Sequence, residues 1–419
     1  MRDQSAPPRD ESTGAIFCRI GLLCGLTILV CFLRRPDQLL HPYIWDEDGT
    51  IILKAYAERG LGSVADINGY IILVARVLSL AAFKTSFLWA PEISVTLAVS
   101  FTCAVIVAIA LSPTVLPRPY LFAIVPLVIP SDPEVFNVAL YSFWWAGLLL
   151  LLTLMWDSMA GKLWLRIAYT VIGGLSSPLI VPFAAILWLR AVIERRLSEL
   201  LMAIVASVFA LAQALAVLSS ELVPHRPIPD PLVIADTFAG VFVATPRNWL
   251  SELHPGLCVI VVLAVAAFLA RRKLRWEITL LVLAWIAACV SAYLRIGGVH
   301  GLSPIGAGPR YFFFPLTIMM WIGLWIALES TRWIRGLMGL GLALALFVAG
   351  RQLSRYHDPV DWRAEVMACA RTHAHSYELP IHFDGIRNHL WYVSLTGEQC
   401  RRMLDVSLFG RSAPKVNME

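Results

Sequence analysis

The sequence predicts an all-α polytopic membrane protein with about 11 transmembrane helices, on the evidence of its composition and the spacing of its basic residues. Hydrophobic residues make up 58% of the 419 residues and charged residues only 15%, with a mean hydropathy of +0.71. A soluble domain carries roughly a quarter charged residues. The lysines and arginines occur in short clusters between apolar runs, which is typical of topogenic signals rather than of nucleic-acid binding, despite the net charge of +5. A soluble enzyme, a disordered protein and a small disulfide-rich secreted domain are therefore excluded.

The apolar runs between the basic clusters define the predicted helices. In chain order these are 15–33, 88–112, 119–131, 138–156, 163–175, 179–191, 199–219, 256–270, 277–294, 311–329 and 333–350. The first run is interpreted as a retained helix and not a signal peptide, because Arg34 and Arg35 follow it where a small-residue cleavage site would stand. Short loops rich in Lys and Arg stay in the cytoplasm, so the N-terminus is predicted inside and the C-terminus outside.

The segment 68–84 is apolar enough to be a helix but does not fit this topology as a span. Counting it as one would invert every later loop and place the basic turns outside. We therefore expect an outer juxtamembrane helix there, although the sequence leaves open whether it crosses the bilayer. The predicted domains are a disordered cytoplasmic N-terminus (1–14), a transmembrane domain (15–352) with the long outer loop 34–87, and a small extracytoplasmic α/β region (353–419).

Three consecutive carboxylates follow the first predicted helix, in the sequence Trp45-Asp46-Glu47-Asp48-Gly49. Adjacent like charges at a membrane surface resist desolvation. One interpretation is a general base or a metal site that faces an outer cavity. The other is a helix N-cap, in which Asp46 or Asp48 precedes a helix whose dipole favours the negative charge. The two interpretations are compatible.

The stretch Trp45–Gly60 resembles the first extracytoplasmic loop of the GT-C glycosyltransferases, polytopic membrane enzymes that take sugars from polyprenyl-phosphate donors. In that family an acidic pair follows the first helix and opens a juxtamembrane helix, and a set of bacterial members with uncertain acceptor reads Trp-x-Glu-Asp-Gly there. Glu47 and Asp48 match the pair, and Asp46 fills the variable position. Together with the helix count, the resemblance covers the architecture loosely over residues 1–352.

The second outer turn supplies further candidates. The family often places acidic residues there, close to the first acidic pair, and Glu134 is the best match, with Asp132 and Asn137 behind it. A turn bounded by prolines, with an N-capping Asp or Asn, is the alternative. Trp144 and Trp145 follow as candidate substrate-binding residues, since they offer an aromatic platform for a sugar ring, or else they belong to an interfacial belt.

The last outer loop contains Arg310 and Tyr311 at the start of an apolar helix. A charge persists there only with a partner or water, and a guanidinium binds phosphate with bidentate geometry. Similar Arg-Tyr sequences recur at this place in the bacterial set, so the resemblance implies that these two residues bind the donor phosphate. Arg295 and His300 are weaker phosphate candidates in the same loop. A snorkelling interfacial arginine is the alternative.

The resemblance implies an enzyme of the bacterial inner membrane that transfers a sugar from a polyprenyl-phosphate donor to an acceptor hydroxyl on the outer face, with inversion. The acceptor would be a glycan, a lipid or a protein, membrane lipids would surround the chain, and no nucleic acid is expected. Glu47, Asp48, Asp46 and Glu134 are the candidate catalytic residues. Mg²⁺ or Mn²⁺ held by Glu47, Asp48 and Glu134 is one way to stabilise the leaving phosphate. Arg310 acting alone is the other.

Two alternatives stay open at the level of sequence. A lipid-linked oligosaccharide transporter or flippase needs polar residues near the bilayer midplane, whereas the charges here concentrate at the outer interface. A surface-polysaccharide polymerase is harder to separate from a simple transferase. In the C-terminal region, Cys369 and Cys400 would face the oxidising side, which makes a disulfide between them a candidate that spacing does not prove.

Overall fold

The structure, a computed structural model, describes residues 13–67, 69–219, 231–240, 254–271, 274–296, 308–351, 354–381 and 391–408. These residues are mostly helical, with two short strands, β1 (Tyr377–Ile381) and β2 (Trp391–Leu395), near the C-terminus. The helices are α1 (Thr13–Arg34), α2 (Pro36–Leu40), α3 (Lys54–Arg59), α4 (Leu73–Thr85), α5 (Ala90–Leu111), α6 (Pro119–Ile124), α7 (Ser142–Leu154), α8 (Leu163–Gly174), α9 (Ile180–Glu194), α10 (Leu197–Leu218), α11 (Pro231–Ala239), α12 (Pro255–Ala270), α13 (Ile278–Ile296), α14 (Phe313–Glu329), α15 (Arg332–Arg351), α16 (Trp362–Arg371) and α17 (Gly397–Val406). The segment 1–12 of the predicted disordered N-terminus lies outside the described residues.

Five of the described helices are long and apolar enough to cross a membrane, as expected of an α-helical membrane protein. They are Gly14–Arg34, Ala90–Leu111, Leu197–Leu218, Ile278–Arg295 and Pro309–Glu329. Three shorter apolar helices, α7, α8 and α12, accompany them. The expectation of about 11 spans is therefore wrong for the described part of the chain, because apolar composition does not by itself give helices of spanning length.

The difference between the predicted and the observed number of spanning helices arises mainly between residues 119 and 154. The predicted helix over 119–131 is interrupted by Pro126 and Pro130, and it reduces to α6 and one 3-10 turn. α7 has only 13 residues, and every one of them is buried. A helix enclosed by other helices is as apolar as one that faces lipid, so composition cannot separate the two. Non-helical backbone is tolerated at this depth when protein surrounds it.

The helix in the segment 68–84 is α4, which begins at Leu73; residues 69–72 precede it without helical structure, and residue 68 lies outside the described residues. The 13 residues of α4 extend about 20 Å, less than the roughly 30 Å of a hydrocarbon core. Its buried face includes Arg76 and Ser79 and packs against α5 and the π-helical turn Asp48–Leu53. α4 therefore has the length and the one-sided burial expected of a juxtamembrane helix.

α7 and α14 contact each other through aromatic side chains and a glycine. Trp145 lies edge-to-face against Phe313, with ring centroids 5.1 Å apart. Gly147 approaches Phe314 so closely that a Cβ atom at this position would overlap the ring. This packing brings the beginning of α14 next to the beginning of α7, and the loops that precede the two helices meet there.

At its other end α7 stops inside the protein, and two arginines bind its last carbonyl groups. Arg166 donates to the carbonyl oxygen of Thr153 from Nε and Nη2, at 3.1 and 2.8 Å. Arg190 donates to the carbonyl oxygen of Trp156 at 2.6 Å. The Glu199 carboxylate lies 2.7 Å from Arg166 Nη1 and 3.1 Å from Arg190 Nε. One carboxylate thus compensates two buried charges that satisfy the free carbonyls of a helix end.

The C-terminal region consists of α16, an antiparallel sheet of β1 and β2, and α17. The register of the sheet places Tyr377 opposite Leu395. Cys369 and Cys400 form a disulfide that joins α16 to α17. The region therefore has the mixed helix and strand content that the sequence predicts for the segment 353–419.

The C-terminal region packs against the outer loop 34–87. Trp362 Nε1 donates to the carbonyl oxygen of Phe87 at 2.9 Å, and the Phe87 N–H donates to Ser407 Oγ at 3.0 Å. Ile381 of β1 contacts Gly49, directly after the three carboxylates. The strands therefore form the support behind the acidic motif.

Candidate active site

The acidic motif follows α2 after a short non-helical segment, and its backbone is helical from Asp46 onwards. Trp45 is buried, and its indole N–H donates to Glu47 Oε2 at 2.8 Å. Thr50 Oγ1 donates to the backbone carbonyl of Asp46 at 3.0 Å. A π-helical turn, Asp48–Leu53, begins at once, and no side chain caps it. The interpretation of the carboxylates as a helix N-cap is therefore wrong.

Arg310 brings the two acidic loops together. It lies in the 3-10 turn Pro309–Phe312 that leads into α14. Its Nη1 donates to Glu134 Oε1 at 2.5 Å, and its backbone N–H donates to Glu134 Oε2 at 3.2 Å. Its Nη2 lies 3.8 Å from Glu47 Oε1, and Tyr141 donates to Glu134 Oε1 at 2.9 Å. We call Glu47, Glu134, Tyr141 and Arg310 the outer cluster.

The outer cluster is open on one side only. The side chains of Arg310 and Glu47 are 28% and 27% exposed, whereas that of Glu134 is 6% exposed. Glu134 and the buried Tyr141 therefore hold the guanidinium from behind, and a ligand can reach Arg310 and Glu47. A carboxylate beside a guanidinium can accept a proton and bind an anion within one site.

Asp46 lies beside Glu47 and is the more buried of the two carboxyl groups. Burial raises the pKa of Asp46 to about 8, with further contributions from the charge of Glu47 and a hydrogen bond between the two side chains. Asp46 is therefore mostly protonated at pH 7. Glu47, whose side chain is 27% exposed, is the carboxyl group of the two that a ligand can reach.

Asp48 turns away from the outer cluster. Its Oδ1 accepts from Ser79 Oγ at 2.6 Å and its Oδ2 from the Leu140 N–H at 3.2 Å. Burial raises the pKa of Asp48 to about 7, although both hydrogen bonds act in the opposite direction. This side chain, predicted from the motif to be catalytic, instead ties the acidic motif to α4 and to the loop before α7.

The two tryptophans of α7 lie in the packed interior. Trp145 is 1% exposed and donates to the carbonyl oxygen of Val135 at 3.0 Å. Trp144 is 8% exposed and packs edge-on against Tyr311, with ring centroids 5.8 Å apart. Both rings make their contacts within the protein, and their role in substrate binding stays a prediction. Tyr311 is partly exposed beside the Arg310 guanidinium, at 5.4 Å, and is the aromatic surface next to the cluster.

Asp132 and Asn137, the other predicted substrate-binding residues, make internal contacts. Asp132 Oδ1 accepts from Arg355 Nη1 at 3.2 Å. Asn137 is buried, has a left-handed backbone conformation with φ at 61°, and donates to the carbonyl oxygens of Cys31 and Arg35 at 3.0 and 3.3 Å. Asn137 thus caps the C-terminal end of α1, which corrects the prediction of a substrate contact.

The second predicted phosphate ligand, Arg295, lies near the end of α13 and is exposed. Its guanidinium is 5.6 Å from the ring centroid of Tyr70. Burial raises the pKa of Tyr70 to about 12, and the charges of Arg295 and Arg310 both oppose this shift. Arg295 is therefore a cation beside Tyr70, and its role as a phosphate ligand stays a prediction. His300 lies outside the described residues.

A second network of buried charges adjoins the outer cluster, and none of its residues was predicted from the sequence. Arg35 donates to Asp37 Oδ1 at 3.1 Å and to Tyr43 Oη at 2.5 Å, and Tyr43 donates to Asp37 Oδ2 at 2.6 Å. His357 Nδ1 lies 3.9 Å from Asp37 Oδ2. The signal that could have revealed the network is the Arg34-Arg35 pair, since basic residues are unusual on the side where the sequence predicts this pair to lie, and buried charges need partners.

The described residues contain no group of three or more His, Cys, Asp or Glu side chains arranged to hold a metal ion. Glu134 is paired with Arg310, and Asp48 is bound to Ser79. The three carboxylates considered as ligands for Mg²⁺ or Mn²⁺ therefore do not come together, and Arg310 is the cation that Glu47 and Glu134 share.

Comparison of the chain with protein-family models, with curated proteins and with solved structures gave no match. The resemblance to GT-C enzymes therefore depends on the residues of this chain alone. The structure adds a geometric fact to it, namely that Glu47, Glu134 and Arg310 come from three separate loops and meet in one cluster.

Proposed function

We propose that the protein is a membrane glycosyltransferase that moves a sugar from a polyprenyl-phosphate donor to an acceptor hydroxyl, with inversion, on the outer face of a bacterial inner membrane. The observation that carries this proposal is the position of Glu47 beside Arg310, 3.8 Å apart on the open side of the outer cluster. A base and an anion-binding cation are the two groups that this reaction requires. The acceptor is a glycan, a lipid or a protein.

Glu47 is the general base of the proposed reaction. Its carboxylate takes the proton of the acceptor hydroxyl as the acceptor oxygen attacks the anomeric carbon. The Trp45 indole N–H holds this carboxylate at 2.8 Å, and a positioned base contributes about 10²–10⁴-fold to the rate. Burial raises the pKa of the neighbouring Asp46 to about 8, which makes Asp46 mostly neutral at pH 7, and Glu47 is the more exposed of the two groups.

Arg310 stabilises the leaving group. As the new bond forms, the bond between the anomeric carbon and the phosphate oxygen breaks, and its electron pair leaves with the polyprenyl phosphate. The guanidinium opposes the developing charge, and Glu134 and Tyr141 fix its position before the reaction. Glu134 compensates part of the positive charge of Arg310. Arg295, 5.6 Å from the Tyr70 ring, supports the proposal as a second cation that a phosphate can bind.

The transporter alternative has less support. A carrier needs polar residues near the midplane of several helices. Among the described residues, the buried ion pairs lie at the ends of helices, with Arg310 and Glu134 at one end of α7 and Arg166 and Glu199 at the other. A polymerase would use the same donor chemistry, and it differs from a simple transferase in its acceptor.

The proposal is tested by transfer from a panel of polyprenyl-phosphate sugars, with purified wild-type protein compared with Glu47→Gln. The variant cannot accept the hydroxyl proton, so we expect kcat to fall at least about 100-fold while the donor still binds. Arg310→Lys should weaken donor binding, because an ammonium group lacks the planar fork that binds phosphate. The same assay in EDTA shows whether a divalent metal takes part.

The matched control is Glu58→Gln, which removes an exposed carboxylate from α3 on the same outer loop. It should transfer at the wild-type rate. The proposal is contradicted if no donor in the panel supports transfer, or if Glu47→Gln turns over as fast as the Glu58→Gln control.

A further inference from the structure

The segment that joins α15 to the C-terminal region passes over the acidic motif. The Arg355 N–H donates to the carbonyl oxygen of Arg34 at 3.1 Å, which fixes the segment to the end of α1. The Arg355 guanidinium lies 5.5 Å from the Trp45 ring centroid, and its Nη1 donates to Asp132 Oδ1 at 3.2 Å. Its Nε donates to His357 Nε2 at 3.0 Å. One side chain therefore contacts both acidic loops.

Trp45 connects this arginine to the outer cluster. Its indole N–H donates to Glu47 Oε2 at 2.8 Å, and its ring packs edge-on against Tyr141, with centroids 5.5 Å apart. Tyr141 in turn donates to Glu134. The indole N–H thus holds the Glu47 carboxylate, and two guanidinium groups flank the indole ring, with Arg355 at 5.5 Å and Arg35 at 5.6 Å from its centroid.

We propose that Arg355 is a positioning residue of the outer cluster, which holds the Trp45 indole so that its N–H fixes the Glu47 carboxylate beside Arg310. Arg355 acts through Trp45 and not on the substrate. Its ion pair with Asp132 fixes the distance between the loop that contains Glu134 and the loop that contains Glu47. The segment that leads into the C-terminal region therefore contributes to the geometry of the outer cluster. The kinetic part of this inference rests on the proposed function.

The chain offers a matched control for Arg355 within the same region. Arg363 of α16 makes the same two kinds of contact, with the Trp89 ring at 3.2 Å and with Glu92 Oε1 at 2.6 Å. Those partners lie at the start of α5 and belong to no part of the outer cluster. Arg363→Gln therefore removes an equivalent cation–π contact and ion pair without touching Trp45.

The first test compares Arg355→Gln, Arg355→Lys and Arg363→Gln in the transfer assay. We expect Arg355→Gln to lower kcat at least tenfold with a change in the donor KM of less than threefold, and Arg355→Lys to recover part of the loss. Arg363→Gln should match the wild type. In a Trp45→Phe background, Arg355→Gln should lower kcat less than twofold further. The reason is that Trp45→Phe already removes the indole N–H through which Arg355 acts on Glu47. Independent, multiplicative losses in the double variant would overturn the inference.

The second test does not depend on turnover. The rate at which a water-soluble carbodiimide labels Glu47 is measured by peptide mass spectrometry in the folded full-length protein, with thermal unfolding as the check on folding. We expect Arg355→Gln and Trp45→Phe to raise the labelling rate at least threefold and Arg363→Gln to leave it unchanged. Equal rates in Arg355→Gln and wild type would refute the positioning role. Faster labelling in a protein that transfers no sugar would keep the positioning role and reject the proposed function.

Discussion

At the scale of single residues, exposure separates the charges that face a ligand from those that hold the backbone. Glu47 and Arg310 are partly exposed, whereas Arg35 and Asp37 are fully buried and are bound to each other and to Tyr43. A buried ion pair is costly to desolvate and persists only where hydrogen bonds satisfy it on all sides. A ligand can therefore reach the first pair, and the second pair holds the path of the chain after α1.

The sequence could point to Glu47, Glu134 and Arg310, because loops on one side of a membrane bundle meet at the same face. It could not separate Asp48 from Glu47, since the two are adjacent in one run of carboxylates and the backbone turn alone decides which faces inward. It also missed Arg355, whose partners are more than 200 positions away in the chain, at Asp132 and Trp45.

The buried His357 predicts a pH dependence of stability. Burial lowers its pKa to about 3; the charges of Arg35 and Arg355 act in the same direction, and that of Asp37 in the opposite direction. The unfolded chain, with a histidine pKa of about 6.5, binds this proton more readily, so the stabilisation is complete above pH 6.5 and is lost as the pH falls towards 3. We expect the free energy of unfolding to fall by up to about 1.4 kcal/mol per pH unit in this window.

The measurement is thermal unfolding in detergent between pH 7.5 and 4.5, for wild type and for His357→Gln. The variant lacks the buried imidazole, so its melting temperature should depend less on pH below 6.5. His373→Gln serves as the control, because His373 is exposed on the same region of the chain and should leave the wild-type pH dependence intact. If the melting temperatures of wild type and His357→Gln change with pH in parallel, His357 is not the group whose protonation destabilises the protein.

At the scale of elements, uniform apolar runs were predictable as helices, including the short α8 and α12, whereas the bounds of the fully buried α7 were not. The predicted ranges 199–219 and 277–294 lie within two residues of α10 and α13, because each is a uniform apolar run between charged ends. The range 138–156 shortened to α7, since the pattern of a buried helix gives no sign of where its hydrogen bonds stop. The arginines that end α7 lie on α8 and α9, so nothing within α7 itself could predict them.

The cluster at that end of α7 predicts a large effect of a single carboxylate. Glu199 is fully buried between Arg166 and Arg190, and Glu199→Gln leaves two buried charges with less compensation. Breaking one side of a buried ion pair typically costs about 3–5 kcal/mol. We therefore expect a clear fall in the melting temperature, measured by the fluorescence of the purified protein during heating.

Glu194→Gln is the control for this substitution. Glu194 lies 2.9 Å from Arg190 only, and Arg190 keeps Glu199 when Glu194 is changed. Its melting temperature should fall much less than that of Glu199→Gln. Similar values for the two variants would mean that the cluster does not depend on the shared carboxylate.

At the scale of the whole molecule, the two ends of the bundle differ in chemistry. The outer cluster, the C-terminal region and the Cys369–Cys400 disulfide lie at the end where α7 and α14 begin. The Arg166 and Glu199 cluster and the basic turns near Lys162 and Arg196 lie at the other. Disulfides persist on the oxidising side of a membrane and basic turns on the cytoplasmic side, so both features favour an outward-facing outer cluster.

This polarity predicts the sidedness of labelling. In a background in which the exposed Cys18 and Cys258 are replaced by serine, single cysteines are introduced at the exposed positions of Glu58 and Asp405, and at Lys162 near the other end. A membrane-impermeant maleimide added to right-side-out vesicles should modify the first two. The cysteine at position 162 should react only after the membrane is permeabilised, because a basic turn of this kind stays in the cytoplasm.

Labelling of all three positions after permeabilisation is the control for reactivity, and the background without an introduced cysteine shows that no other thiol reacts. The outcome has a direct consequence for the proposed reaction. Glu58 lies on α3, directly after the π-helical turn of the acidic motif, so its sidedness is that of Glu47. If position 58 reacts only from the side of position 162, the base and Arg310 face the cytoplasm, and the donor sugar would have to be reached from the inner leaflet.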